Sequence, residues 1–136
     1  MVFEVLGKPQ GKARPRFTRT GHTYTPNNTT NYEKAVRLAF LKAKGKMLEG
    51  EIRAVITAYY PIPKSISKKK QAEMLKGYVR PTVKPDCDNI AKIILDALNK
   101  IAYKDDSQVI ELVVNKVYGE IAKVVVELEE VKVNDE

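Results

Sequence analysis

Runs of β-branched and aromatic residues predict four β-strands in the chain. Met1–Leu6 alternates weakly between apolar and polar residues, and Glu51–Tyr60 is rich in Ile, Val, Thr and Tyr. Val109–Tyr118 and Ile121–Glu129 have the same strand-like composition. The link between these last two segments, Gly119-Glu120, favours a tight turn. We therefore expect the chain to contain a C-terminal β-hairpin.

Two segments in the first half of the chain have helical signals. Thr30 and Glu33 match the Thr-x-x-Glu spacing of a capping box, so a helix is expected to begin there and to end near Gly45. Ser67 and Gly77 bound a short basic helix, because serine is a preferred helix cap and glycine a common stop.

A third predicted helix has the most regular apolar stripe. Asp88 stands at its N-cap, and the helix is expected to run to about Asn99. Together the elements predict a single α+β domain over residues 1–136, with a mixed β-sheet and helices packed on one face. The stripe consists of Ile90, Ile93, Ile94, Ala97, Leu98 and Ile101.

Positive charge is concentrated in the first three quarters of the chain. The net charge is +7 over residues 1–50, +6 over 51–104 and −6 over 105–136. A polyanion is the simplest partner for such a surface, and a solvated basic face without a function is the alternative.

The sequence carries no signal for a membrane or for secretion. No apolar run approaches the roughly 18 residues that a membrane helix needs. The first residues lack the basic start, apolar centre and cleavage site of a secretory signal. Cys87 is the only cysteine, so no disulfide can form within the chain. We expect a cytoplasmic protein without a membrane partner.

The segment Asp86-Cys87-Asp88-Asn89 directly precedes the third helix. Residues two apart in an extended segment point to the same side, so Asp86 and Asp88 are expected to bring two carboxylates together. Carboxylate oxygens are the ligands that Mg²⁺ and Mn²⁺ select, and a helix N-terminus favours a phosphate. The alternative is a helix cap at Asp88 beside a solvated Asp86.

Three further charged residues follow this acidic pair. Lys92 lies one turn after Asp88 and is positioned to reach a phosphate, and an exposed ion pair with Asp96 is the alternative. Asp105 and Asp106 follow in a loop, where a simple turn is the alternative. The helix carries the chain about 16 Å away from Asp88. Asp106 therefore joins the pair only if the chain runs directly back or if a symmetry mate supplies it.

The charged residues belong to a longer ordered set of matches to a known family. The set comprises Lys84-Pro85-Asp86-Cys87-Asp88-Asn89, Lys92, Leu95-Asp96-Ala97-Leu98 and Asp105-Asp106-Ser107-Gln108-Val109. It resembles the RusA family of crossover junction endodeoxyribonucleases. A second set resembles the phage-encoded branch of that family, and it comprises Gly11–Phe17, Tyr24-Thr25-Pro26 and Tyr32-Glu33.

The resemblance implies a function and a set of catalytic residues. It implies a homodimer that resolves four-way (Holliday) DNA junctions by paired nicks, associated with the nucleoid or acting in a phage-infected cell. The implied cofactor is Mg²⁺, with Mn²⁺ as a substitute and no small-molecule cofactor. Asp86, Asp88 and Asp106 are the implied catalytic metal ligands and Lys92 the catalytic lysine. Asp105 is the alternative third ligand.

Two regions of the chain are assigned to these roles. Residues 85–109 hold the acidic metal site with its helix, and residues 7–28 form a Gly- and Pro-rich basic loop. We expect the loop to contact DNA, since Lys and Arg neutralise phosphates and aromatic rings stack on unpaired bases. A flexible solvated arm is the alternative. The expected DNA-binding residues are Lys8, Lys12, Arg14, Arg16, Phe17, Arg19 and Tyr24.

Two other functions are compatible with the same residues. A protein that binds branched DNA through an inactive acidic cluster would be indifferent to divalent metal. An endonuclease of broader range would cut flaps or single strands without preferring junctions.

Overall fold

The computed structural model describes residues 1–14, 16–24 and 26–131, and the side chains of Arg16 and Tyr24 lie outside this description. The elements in chain order are β1 (Val2–Leu6), β2 (Arg16–Phe17), β3 (Thr23–Tyr24), α1 (Asn27–Lys42), β4 (Ile52–Pro61), α2 (Lys68–Leu75), α3 (Cys87–Leu98), a short 3₁₀ helix (Asp106–Gln108), β5 (Val109–Gly119) and β6 (Lys123–Glu130).

β4 is an inner strand of a four-stranded mixed sheet. The strand order is β1-β6-β4-β5, in which β4 pairs parallel with β5 and antiparallel with β6. β1 completes the sheet by pairing antiparallel with β6, while β2 and β3 form a separate two-stranded sheet. The predicted α+β class with a mixed sheet is confirmed.

One face of the sheet carries the hydrophobic core. Alternate residues of β4 from Ile52 to Tyr60 are buried, because the side chains of a strand point to alternating faces. α1 and α3 pack together on this face, and Phe40 of α1 meets Phe3 of β1 edge-to-face with ring centroids 5.6 Å apart. The predicted stripe of α3 is confirmed from Ile90 to Leu98.

The short basic helix is confirmed as well. The N–H of Lys70 donates to Oγ of Ser67 at 3.3 Å, and Gly77 adopts a left-handed φ of 82° just after the helix. α2 packs along β5, and its buried Met74 lies outside the main core. Within the described ranges, no helix is both long enough and apolar enough to span a membrane.

The last two strands are consecutive and antiparallel, as a C-terminal hairpin requires, but β4 lies between them. The link over residues 120–122 passes the end of β4, so β5 and β6 hydrogen-bond to β4 and not to each other. The predicted hairpin is therefore wrong in its strand pairing, whereas the order and the antiparallel direction of its two strands are as predicted. Gly119 is not a turn residue, because it ends β5 in a tight contact where an added Cβ would lie 2.8 Å from Tyr59.

The start of α1 also differs from the predicted capping box. The helix begins at Asn27, after Pro26, so Thr30 and Glu33 lie inside it. The hydroxyl of Thr30 donates to the carbonyl of Pro26, and Glu33 accepts a hydrogen bond from Lys12 instead of from the helix backbone. Local spacing cannot anticipate this outcome, because Lys12 is distant in sequence.

Tyr103 closes the C-terminal end of α3 by folding the chain back over it. Its side chain is fully buried, and its hydroxyl donates to the carbonyl of Leu95 at 2.7 Å. Carbonyls in the last turn of a helix have no partner within the helix, so this bond satisfies one of them. The turn that brings Tyr103 back includes Lys100 in a left-handed conformation with φ of 66°.

We expect Tyr103→Phe to lower the free energy of unfolding by about 1–3 kcal/mol, because it leaves the part-buried carbonyl of Leu95 without its partner. Urea denaturation followed by circular dichroism measures this change. Tyr78→Phe is the matched control, since Tyr78 is 76% exposed and should be neutral. Equal stabilities of the two variants would contradict the role given to the Tyr103 hydroxyl.

Candidate active site

Asp86 and Asp88 both lie at the N-terminal end of α3. The helix begins at Cys87, so Asp86 is the N-cap residue and Asp88 the second residue of the helix. The prediction that Asp88 is the N-cap is thus displaced by two residues. The carbonyl of Asp86 accepts the first helical bond, from Ile90 at 3.0 Å, but its side chain makes no capping bond. Both carboxylates are exposed beside the free N–H groups of the helix end.

The residue before this pair is fixed by a tyrosine that the sequence did not single out. The hydroxyl of Tyr60, near the end of β4, donates to the carbonyl of Pro85 at 2.8 Å. Burial raises the pKa of Tyr60 to about 12, with smaller contributions from the charges of Cys87 and Asp86. The hydroxyl therefore stays protonated and remains a donor at neutral pH. This bond ties the start of α3 to the end of β4.

Lys92 lies one turn into α3 and projects into solvent. Its side chain is 61% exposed, and its Nζ lies 3.9 Å from Oδ2 of Asp96. The expected i,i+4 ion pair is present, but an exposed pair at this distance contributes only a few tenths of a kcal/mol. Such a loose contact leaves the ammonium able to meet a phosphate.

Asp105 and Asp106 have different surroundings. Oδ2 of Asp105 accepts the N–H of Ser107 at 3.0 Å, and Oε1 of Gln108 accepts the N–H of Asp105 at 3.2 Å, which makes a complete capping box. The bonds to Ser107 lower the pKa of Asp105. In the part of the chain that the structure describes, Asp106 has no side-chain hydrogen bond or ion pair. The capping role is therefore that of Asp105.

Asp106 lies at the opposite end of the sheet from Asp86 and Asp88. It precedes Val109, which pairs with Ile52 at the start of β4, whereas Pro85 is bonded to Tyr60 near the end of β4. The two ends of that stretch of β4 are about 26 Å apart at about 3.3 Å per residue. Over residues 1–14, 16–24 and 26–131, no three His, Cys, Asp or Glu side chains come together to hold one metal ion.

The acidic residues thus have the chemistry to bind a divalent cation, but a single chain does not bring enough of them to one place. Asp86 and Asp88 supply hard oxygen donors that suit Mg²⁺. One chain does not bring Asp105 or Asp106 to this pair. The first predicted route, in which the chain runs directly back along α3 to Asp88, is therefore not the one taken. The other route, through a second copy, stays open.

Most described side chains of the basic loop are exposed. Lys8, Arg14 and Arg19 are exposed, and Phe17 is 75% exposed on the short β2–β3 hairpin. This arrangement is the one expected for side chains that meet a nucleic acid. The predicted contacts of Arg16 and Tyr24 depend on side chains outside the described part.

Among the cations of this loop whose side chains the structure describes, Lys12 is the exception. Its Nζ lies 2.9 Å from Oε2 of Glu33 and 3.4 Å from Oδ2 of Asp96, and its side chain is only 20% exposed. Partial burial lowers the pKa of Lys12, but the attraction of the two carboxylates outweighs burial and the net shift is upward. Its positive charge is thus paired with carboxylates of the same chain.

A cleft of about 280 Å³ opens beside the start of α3. Tyr60 and Tyr118 form part of its wall, and Lys8 and Lys84 also line it. Nζ of Lys116 lies 5.2 Å from the ring centroid of Tyr60 and donates to the carbonyl of Val83. No local sequence pattern predicts this cleft, because its residues come from four distant segments.

The chain is similar to known proteins over most of its length. Residues 7–129 match the family described as Endodeoxyribonuclease RusA. The chain is also 40% identical over 135 residues to the uncharacterized protein YqaN of Bacillus subtilis (strain 168), a match that covers 95% of each chain. The family match spans the basic loop, α3 and both candidate third acids.

We expect Asp105→Ala to lower the melting temperature measurably, since it removes the cap of the 3₁₀ helix, and Asp106→Ala to leave it unchanged. Thermal denaturation without added metal measures both. A fall of the same size in the two variants would contradict the separate roles given to these neighbours.

Proposed function

Because the chain belongs to the endodeoxyribonuclease RusA family, we propose that it resolves four-way DNA junctions by paired, metal-dependent hydrolysis of phosphodiester bonds. The family implies Holliday junction resolvase activity in general and acts on branched DNA. The observation that carries the finer proposal is the exposed pair Asp86 and Asp88 at the start of α3, one turn before the exposed Lys92.

Each group at this helix end has a distinct role in the proposal. Asp86 and Asp88 would hold Mg²⁺, or Mn²⁺ in its place. When bound, the ion would lower the pKa of a water and offset charge on a phosphoryl oxygen. The N–H groups at the start of α3 orient the scissile phosphate, and Lys92 stabilises the negative charge that develops on it.

The basic loop supplies the contacts to DNA outside the scissile bond. Lys8, Arg14 and Arg19 neutralise phosphates, which makes binding dependent on salt. Phe17 is exposed on the β2–β3 hairpin and is placed to stack on a base that is unpaired at the branch point.

We propose further that the enzyme is a homodimer in which Asp106 of the partner subunit completes each acidic site. The separation of Asp106 from Asp86 and Asp88 within one chain supports this arrangement. Two apolar side chains follow Asp106 at the edge of the sheet, Ile110 at 58% exposure and Leu112 at 43%. Exposed apolar residues on an edge strand are typical of a surface that another chain covers.

The test of the activity is cleavage of a labelled synthetic four-way junction beside linear duplex, flap and single-strand controls. With Mg²⁺ or Mn²⁺ we expect symmetric nicks in the junction, no cleavage in EDTA, and a loss of at least about 100-fold in Asp88→Asn. Glu127→Gln removes an exposed carboxylate elsewhere on the sheet and should keep full activity.

Two other outcomes would replace this function with another. Tight junction binding without cleavage under any metal would leave a structure-selective DNA-binding protein. Cleavage of flaps or single strands at the same rate as the junction would indicate an endonuclease of broader range.

Mixing two inactive variants tests the shared site. In a hybrid dimer of Asp88→Asn and Asp106→Asn subunits, a site built from two chains leaves one site intact, so we expect single nicks at up to about half of the hybrid's sites. Sites built within one chain would all carry one substitution, and the mixture would stay inactive.

The matched control is a mixture of Asp86→Asn with Asp88→Asn. These two residues belong to the same chain's half of the site, so every site in the hybrid carries a substitution. Recovery of cleavage in this control would show that the recovery does not report on shared sites.

A further inference from the structure

Lys12 has the surroundings of a structural lysine within a loop of exposed cations. It contacts Glu33 of α1 at 2.9 Å and Asp96 of α3 at 3.4 Å, and these carboxylates are themselves only 13% and 26% exposed. A lysine that binds phosphate in solution needs an accessible ammonium. The ammonium of Lys12 is instead neutralised by two carboxylates from two different helices.

The backbone around Lys12 is fixed to the same two helices. Its N–H donates to the carbonyl of Asn89 in α3 at 3.2 Å, and the N–H of Ala13 reaches Oγ1 of Thr29 in α1 at 3.4 Å. At Gly11, an added Cβ would lie 3.0 Å from the Cβ atoms of both Pro85 and Asn89. The base of the loop therefore lies directly against the turn that carries Asp86.

Asp96 links this contact to Lys92. Oδ2 of Asp96 lies closer to Lys12, at 3.4 Å, than to Lys92, at 3.9 Å. Lys12 thus takes the stronger share of the Asp96 charge and leaves Lys92 in a loose, exposed pair. Without Lys12, Asp96 would be available to hold Lys92 back against the helix.

We propose that Lys12 is a positioning residue that fixes the basic loop to α1 and α3 through Glu33 and Asp96, and that it does not contact DNA. Only the catalytic consequence of this inference rests on the proposed function. The contact of Lys12 sets the loop at a constant distance from Asp86 and Asp88 and keeps Lys92 available to a phosphate. It also replaces the sequence-based prediction that Lys12 binds phosphate.

The test compares Lys12→Met with Arg19→Met, whose parent side chain is exposed. Each variant is assayed for junction binding over a range of salt concentrations and for single-turnover cleavage at saturating enzyme. We expect Arg19→Met to reduce the log–log salt slope by about 0.9 for one lost phosphate contact. We expect Lys12→Met to keep the slope and to lose about 10- to 100-fold in cleavage rate, as misplaced groups do.

Two further variants separate positioning from a loss of structure. Lys12→Arg should restore most of the cleavage rate, since it keeps the cation. Glu33→Gln should lose cleavage to a similar extent, although removal of a negative charge cannot weaken attraction to DNA. The double variant that combines Glu33→Gln with Lys12→Met should lose no more cleavage rate than either single variant. A reduced salt slope with an unchanged rate in Lys12→Met would overturn the proposal, as would full activity of Glu33→Gln.

Limited trypsin digestion of the DNA-free protein tests the contact independently of catalysis. We expect Lys12→Met to be cut after Arg19 several times faster than wild type, and Lys8→Met, which removes an exposed lysine, to be cut at the wild-type rate. An unchanged rate in Lys12→Met would overturn the fixed loop. Faster digestion of Lys12→Met in a protein that cuts no DNA would support the contact and reject the proposed function.

Discussion

A parallel pair of strands cannot be joined by a tight turn, so the chain between β4 and β5 must return along the sheet before it pairs again. α3 makes this return, and its buried stripe from Ile90 to Leu98 holds it against the sheet. The direction of α3 then follows from strand pairing alone. Backbone topology carries Asp86 and Asp88 to one end of the sheet and Asp106 to the other, independently of side-chain chemistry.

Elements with a strong local pattern were predicted well. The alternation of Glu51–Tyr60 and the stripe of α3 are properties of neighbouring residues, and the structure confirms both. Strand pairing was predicted poorly, because the composition of Val109–Tyr118 does not specify its neighbour. Gly119 gave a misleading signal, since its missing side chain serves a contact with Tyr59 rather than a turn.

The candidate site shows the same division. The residue types at Asp86, Asp88 and Lys92 and their spacing predict a helix end suited to a metal and a phosphate, and the structure places all three residues at the start of α3. The sequence could not decide whether Asp106 returns to them, because that depends on the path of a whole strand. The sequence pattern groups Lys12 with the other cations of its loop, since nothing local distinguishes a lysine paired with Glu33 and Asp96 from one in solvent.

The division of acidic residues between the two ends of one chain bears on how such a nuclease is restrained. In the proposed dimer, a site completed by a second chain would not exist in the monomer, so cutting would scale with the square of protein concentration below the dimer dissociation constant. Scarce or newly made copies would therefore leave DNA uncut. Both sites of the proposed dimer would also form in the same association event, so that a junction would meet two cutting centres together.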